Sequence, residues 1–234
     1  MKLEGKTVLI TGGTGALGQV VAETFLAEGC RVAASYLFED EKKRLPENFV
    51  RNIEIIRADV TDDEDVAALF QTGMKKLGSI NILINIVGGF VPRADLKDVK
   101  TKDWDAMMNI NLRSAFLCSR EFLQRLGKGT YGRIISMAAM TVFRPSAGRA
   151  PYAVSKAGVV MMTQILGEEL KGTGITANAI APSILRTDAN VASMPEEDSA
   201  KWVGTDEVAR LMVHLCSDEG KSINGSCIPL FGGV

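Results

Sequence analysis

A short apolar strand, Lys6–Ile10, runs directly into Thr11-Gly12-Gly13-Thr14-Gly15-Ala16-Leu17-Gly18, and an amphipathic helix follows to about Glu28. Strand, glycine-rich turn and helix in that order make a cradle for a pyrophosphate. Glycines let the backbone approach an anion, and the helix N-terminus offers free N–H groups at the positive end of its dipole. An ordinary tight turn would also use these glycines, so the turn has to be read with the rest of the chain.

The rest of the chain continues the alternation. Arg31–Tyr36 reads as the second strand and ends in Tyr36-Leu37-Phe38-Glu39. Asn52–Arg57 reads as the third, leading to Ala58-Asp59-Val60-Thr61; Thr61 or Asp62 can cap a helix to Leu77. Ile80–Ile86 is the fourth and closes on Asn85-Ile86-Val87-Gly88-Gly89. A long helix from Asp103 to about Leu126 contains Asn109-Ile110-Asn111-Leu112 and is apolar on more than one side, which suits contact with both a sheet and a partner subunit. Gly132–Met137 is the fifth strand, followed by Ala138-Ala139-Met140, a loop to Ala150 and a helix to about Lys171. Thr176–Ile180 and Ser226–Phe231 are the last two strands, and Asp206–Cys216 is a helix bearing His214, read as structural. Between them, Pro182-Ser183-Ile184-Leu185-Arg186-Thr187 leads into a polar, irregular stretch, 188–203, that suits a mobile lid.

Strands alternating with helices predict an α/β fold: a doubly wound parallel sheet of about seven strands with helices on both faces, all within one domain, 1–234. Ligands of such sheets sit at the strands' carboxyl ends. Gly12–Gly18, Asp59, Asn85–Gly89, Ala139 and Pro182 all follow strand ends and so converge on one rim. For Asp59, turn chemistry is the plain alternative.

Bulk properties narrow the partners. A net charge of −1 gives no basic excess for nucleic acid or an anionic membrane, and no apolar run approaches the roughly 20 residues of a membrane span. The start, Met1-Lys2-Leu3-Glu4-Gly5, lacks the apolar core of a signal peptide. Cys30, Cys118, Cys216 and Cys227 lack metal-ligand spacing and read as reduced thiols of a cytoplasmic protein, with no metal site expected.

Chemistry concentrates in Pro151-Tyr152-Ala153-Val154-Ser155-Lys156. On a helix, Tyr152 and Lys156 leave one face a turn apart. A phenol titrates near 10, and an adjacent ammonium would lower that value and let Tyr152 exchange a proton.

Taken together, Thr11-Gly12…Gly18, Asp59, Asn85…Gly88, Asn111, Tyr152…Lys156, Pro182…Thr187 and Gly232-Gly233 resemble, in order and along essentially the whole chain, the short-chain dehydrogenase/reductase family. The resemblance implies a Rossmann-type sheet that binds NAD(H) or NADP(H) and transfers hydride at the nicotinamide. It also implies a homotetramer or homodimer built on the two long helices and the last strand. By that resemblance Tyr152 is the acid/base, Lys156 lowers its pKa and holds the nicotinamide ribose, and Asn111 holds a water in a proton relay. Gly12, Thr14, Gly15, Ala16, Leu17 and Gly18 would cradle the cofactor, and Asp59 and Val60 would meet the adenine. Asn85, Val87 and Gly88 would line it, with Pro182, Ile184 and Thr187 near the nicotinamide or the phosphates. Tyr36 gives neither the acid of an NAD site nor the base of an NADP site, so the cofactor choice stays open.

The chain departs from the family pattern at Ala16, Ile86 and Ser183, where Gly, Asn and Gly are usual. The usual catalytic serine lies thirteen residues before the tyrosine, and Ala139 stands there. Ser136 would face the opposite side of an extended strand. The glycine loop, the absent serine and the lid segment Ser193–Trp202 resemble a divergent branch, the dihydropteridine reductases, whose conjugated imine acceptor has less need of a serine donor. Three functions are therefore in view. They are hydride transfer to a small carbonyl, reduction of a conjugated C=N acceptor, and a dinucleotide-binding sensor or scaffold without turnover. Phe90–Lys97, Met140–Arg149 and 188–203 would shape the substrate pocket. Arg144 and Arg149 are either anion contacts or solvated loop charges, and Trp202 either closes over a ring or anchors the lid.

Overall fold

The computed structural model describes residues 1–127 and 130–234. The first half runs β1 Thr7–Thr11, α1 Ala16–Ala27, β2 Arg31–Tyr36, α2 Glu39–Lys43, α3 Glu47–Asn52, β3 Glu54–Arg57, α4 Asp63–Leu77 and β4 Ile82–Asn85. Then come α5 Thr101–Met107, a π-helical stretch Met108–Arg113, α6 Ser114–Arg125, β5 Gly132–Met137, α7 Ala150–Glu169 and β6 Ile175–Pro182. The chain closes with β7 Leu185–Arg186, α8 Asp188–Ser193, β8 Val203–Gly204, α9 Thr205–Cys216 and β9 Cys227–Leu230.

Seven strands form one sheet in the order β3-β2-β1-β4-β5-β6-β9, and every neighbouring pair is parallel. The order reverses between β1 and β4, so the crevice above that pair is the switch point at which such sheets bind ligands. Buried on both faces, the strands need no polar side, which is why Thr7–Thr11 is buried throughout. Alternate residues serve alternate layers. Val8, Ile10, Val32 and Ile84 pack with Val21 and Phe25 of α1 and Val208 and Met212 of α9. Leu9, Ala33, Leu83 and Ile134 pack on the other face with Leu69 and Phe70 of α4, Leu117 and Phe122 of α6 and Leu166 of α7.

Several boundaries differ from the sequence reading. The third strand begins at Glu54, not Asn52, because Glu47–Asn52 closes a helical turn that buries Phe49. The helix expected from Asp103 begins at Thr101 and is widened by the π turns of Met108–Arg113 before continuing as α6. Stretch 188–203 is not irregular throughout. It contains α8, capped by Thr187, and ends on a two-residue ladder, Leu185 to Val203 and Arg186 to Gly204. The cap of α4 is Asp62, whose carboxylate accepts from the backbone N–H of Glu64 and Asp65.

No helix among the described residues is long and apolar enough to cross a membrane. No cluster of His, Cys, Asp and Glu with metal-site geometry occurs among them either. All four cysteines are free, and burial pushes the Cys30 and Cys118 thiols up to about 12. His214 lies 3.4 Å from Glu219, far from Tyr152 in the chain and on the end of α9.

Candidate active site

The glycine turn is packed so closely that Gly13 and Gly18 leave no room for a side chain. A Cβ on Gly13 would lie 2.5 Å from that of Ala34, and one on Gly18 would lie 2.3 Å from the Gly12 carbonyl oxygen. Gly12 has φ +66° and abuts Val87, which brings the turn after β1 against the end of β4. The turn is also tied to β2, where Gly13 N–H donates to the Ser35 carbonyl and Gly12 N–H to the Ser35 hydroxyl, both at 3.2 Å. α1 opens at Gly15 with no side chain capping it and no acidic residue in its first turn, so its leading N–H groups remain free for an anion. Ala16 is exposed at the first helical position, and its methyl meets no crowding there.

Across the crevice, Asn111 is 1% exposed at the π turn. Its Oδ1 accepts from Gly89 N–H at 2.9 Å, and its Nδ2 donates to the Gly89 carbonyl at 3.0 Å and to the Ser155 hydroxyl at 3.1 Å. Ser155 in turn donates to the Tyr152 carbonyl at 2.8 Å. The amide thus clamps the end of β4 to the first turns of α7. Gly88 fits between these groups because a Cβ there would lie 2.7 Å from Asn111 Oδ1 and 3.1 Å from Lys156 Nζ. Asn111, Gly88 and Lys156 are therefore in one place, beside the turn that Val87 shares with Gly12.

Lys156 is 5% exposed, and its ammonium donates to the Met137 carbonyl at 2.8 Å, at the end of β5. Burial lowers its pKa from 10.5 to about 8. Tyr152 lies one turn before Lys156 on α7. Burial raises its pKa, and the cation opposing that rise is Arg149 rather than Lys156. The lysine is desolvated and turned to a backbone carbonyl. Arg149 also lies over the Phe90 ring, at 5.8 Å.

The buried ammonium carries a stability cost. Its folded pKa lies below the unfolded value, so the cost is full below about pH 8 and fades as pH rises toward 10.5. Lys156→Met is therefore expected to raise stability near pH 7 by about 1–2 kcal/mol, after allowing for the Met137 carbonyl left unpartnered. Thermal unfolding of parent and variant near neutrality and near pH 10 checks this; the gain should shrink at the higher pH.

Other positions singled out from the sequence are placed as follows. Asn85 is 4% exposed and donates to the Ser119 hydroxyl of α6 and the Ser136 hydroxyl of β5, both at 3.2 Å, while its Oδ1 is buried without a partner among the described residues. Ser136 is thereby engaged with Asn85. Ala139, 7% exposed, precedes a 3-10 turn, Met140–Val142, in which the Thr141 hydroxyl is buried without a partner. Asp59 accepts from the N–H and hydroxyl of Thr61, so its carboxylate holds the turn after β3, and Val60 is buried beside it. Pro182 ends β6; Ile184 accepts from Val203 N–H at 3.0 Å, and Thr187 caps α8. Ser183 is explained by its hydroxyl, which donates to the Phe231 carbonyl at 2.8 Å and joins the ends of β6 and β9. Arg144 donates to the Val234 carbonyl and stacks on Phe231, and Trp202 is 4% exposed, an anchor at the end of the lid segment.

Two contacts escaped the sequence reading. Ser155 hides between Tyr152 and Lys156, and its role becomes visible only when Asn111 is brought to it. Glu41 was passed over within a charged run, though an acid soon after the second strand is a known sign near a glycine turn.

The family model described as short chain dehydrogenase matches residues 6–198. The chain belongs to this family. Among curated relatives of this short-chain dehydrogenase, a short-chain type dehydrogenase/reductase from Picea abies is 32% identical over 99% of this chain and 93% of its own. The 3-oxoacyl-[acyl-carrier-protein] reductase FabG of Escherichia coli is 28% identical over 100% of this chain and 99% of its own. A solved short-chain dehydrogenase from Burkholderia cenocepacia in complex with NADP superposes with a TM-score of 0.86 at 29% identity, covering 100% of this chain and 99% of that one. A blue fluorescent protein from a metagenomic library, in complex with NADPH, gives 0.89 at 26% identity with the same coverage. The close-packed glycines of the turn and the free N–H groups of α1 fit a dinucleotide in this chain as well.

Proposed function

We propose that this short-chain dehydrogenase is an NAD(P)-dependent oxidoreductase acting on a small carbonyl or alcohol, with Tyr152 as acid/base. The observation that carries the reading is the gathering of Asn111, Gly88 and Lys156 beside the glycine turn, on the helix face that bears Tyr152. A bound nicotinamide dinucleotide supplies or accepts the hydride. Gly12, Thr14, Gly15, Ala16, Leu17 and Gly18 hold its pyrophosphate, and Asp59, Val60, Asn85, Val87, Gly88, Pro182, Ile184 and Thr187 shape the rest of its bed. Lys156 holds the nicotinamide ribose. Tyr152 delivers or takes the proton at the substrate oxygen. Asn111 has its amide committed to Gly89 and Ser155, so its share in a proton relay runs through the backbone of the π turn.

The chain acts as one domain, with 188–203 closing over the substrate. The working protein is a homotetramer in the cytoplasm. Phe116, Met161 and Ile165 are 43%, 58% and 50% exposed along α6 and α7, and Leu112, Phe116 and Met162 line a groove there that a second copy would fill. Sedimentation equilibrium reads the assembly directly.

Ala139 favours a second reading within the same class, a dihydropteridine-reductase-like enzyme whose conjugated C=N acceptor needs no serine donor. The test follows NAD(P)H oxidation by absorbance with quinonoid dihydropterin, acetoacetyl thioesters, and a panel of ketones and aldehydes, for the parent and Ala139→Ser. For a carbonyl reductase, the added hydroxyl is expected to raise turnover by about tenfold or more, by analogy with restoring an oxyanion donor. Strong pterin turnover that the serine leaves unchanged selects the second reading. Dinucleotide binding without turnover on any substrate selects a sensor or scaffold and sinks both.

A further inference from the structure

The rim where β2 ends carries two carboxylates, Glu39 and Glu41, with Arg57 of β3 beside Tyr36 but in no ion pair with either among the described residues. Glu41 reaches from α2 to the glycine turn, and its Oε2 accepts from the Thr14 hydroxyl at 2.9 Å and from Leu37 N–H at 3.3 Å. One carboxylate therefore bridges the turn after β1 and the segment after β2. Its Oε1 takes no hydrogen bond from the described residues. Tyr36, the last residue of β2, is buried, and its phenol donates to Glu39 at 2.7 Å. Nearby cations do not offset these acids by direct pairing. Lys43 is paired with Asp40 at 2.9 Å, and Lys42 lies over the Tyr36 ring at 5.8 Å. Gly15, within the turn, brings no charge.

In dinucleotide folds this space, between the glycine turn and the end of the second strand, receives the adenosine ribose. A carboxylate there accepts from the ribose hydroxyls, whereas a 2′-phosphate needs a base. We infer that Glu41, held by Thr14 and Leu37, makes this protein select NAD(H) over NADP(H), its free oxygen accepting from the ribose 2′-hydroxyl and its charge repelling a 2′-phosphate. The inference rests on the dinucleotide site proposed above. It sets this chain apart from the relatives solved with NADP and NADPH. It also places the selecting acid on the helix after β2, where Tyr36 has taken the usual position of one.

Titrating the intact protein with NADH and with NADPH, by nicotinamide fluorescence, tests it. The parent is expected to bind NADH at least about tenfold more tightly, since a like charge in contact is strongly unfavourable. Glu41→Gln keeps the acceptor for Thr14 and removes the charge, and it is expected to bring the ratio close to one, mostly by tightening NADPH. Glu39→Gln, equally charge-changing but bonded to Tyr36, is expected to move the ratio far less. NADPH binding as tightly as NADH to the parent, an unchanged ratio in folded Glu41→Gln, or an equal effect of Glu39→Gln would each overturn the assignment. Binding of neither dinucleotide would instead overturn the dinucleotide site itself, and this inference with it.

Discussion

Replacing Tyr152 with Phe is expected to cut turnover by about 10³-fold while leaving the fold and dinucleotide affinity almost unchanged, the middle of the range for losing a positioned proton donor. The hydroxyl is the only part removed. The packing of α7 stays, because the local clamp runs through the Tyr152 backbone carbonyl, Ser155 and Asn111. Steady-state rates with the best substrate, beside dinucleotide titrations of both proteins, make the comparison. A variant that keeps more than about a tenth of the parent rate would remove Tyr152 from the chemistry. The pH dependence has a sign as well. Burial holds the Tyr152 pKa above its ordinary value, so the phenol is protonated through neutrality and ready to donate. Carbonyl reduction should accordingly be flat across neutral pH and fall only in strong alkali. Alcohol oxidation, which needs the phenolate, should rise as pH rises.

Gly18→Val should abolish dinucleotide binding and cost roughly 3 kcal/mol or more of stability. A Cβ at this position would lie 2.3 Å from the Gly12 carbonyl oxygen and 2.6 Å from Gly13 Cα, both backbone atoms. No flexible side chain can yield, so either α1 or the turn must move. Moving the turn breaks its ties to Ser35, and moving α1 disturbs the layer that buries Val21 and Phe25. Ala16→Gly, two residues earlier, is the contrast. Ala16 is exposed, so that change should cost no more than about 1 kcal/mol and leave binding intact. Chemical denaturation and a fluorescence titration on both variants separate the two outcomes; unimpaired binding by Gly18→Val would contradict the close packing of the turn.

The alternation of apolar strands with helices was legible because a parallel sheet buried on both faces needs nearly continuous apolar runs, and Thr7–Thr11 and Ile82–Asn85 are such runs. The glycine turn was legible because close backbone approach at Gly13 and Gly18 admits only glycine there. Helices α2 and α3 were not. Glu39–Lys43 buries nothing and Glu47–Asn52 buries only Phe49, so neither carries a periodic apolar face. The π turn at Met108–Arg113 has no local signature; within it Asn111 meets Gly89 and Ser155 together, contacts that come from distant parts of the chain. Lys156 was found on its helix, but its partner, the Met137 carbonyl, belongs to a strand nineteen residues away and could not be read from the motif. Glu41 looked like one acid among several until Thr14 was placed against it.

The strand order also bears on how the chain reaches this state during synthesis. β1, β2 and β3 can pair as soon as residues 7–57 have left the ribosome, but the inner edge of β1 waits for β4 at Ile82–Asn85. The far side of β6 waits longer still, for β9 at Cys227–Leu230. Until then an apolar strand presents an open row of N–H and C=O groups, a template for any other strand nearby. A nascent chain of this kind carries an unmated edge until β9 is made, so crowded expression at high temperature should favour inclusion bodies, and slower translation or a chaperone that shields strand edges should rescue the yield.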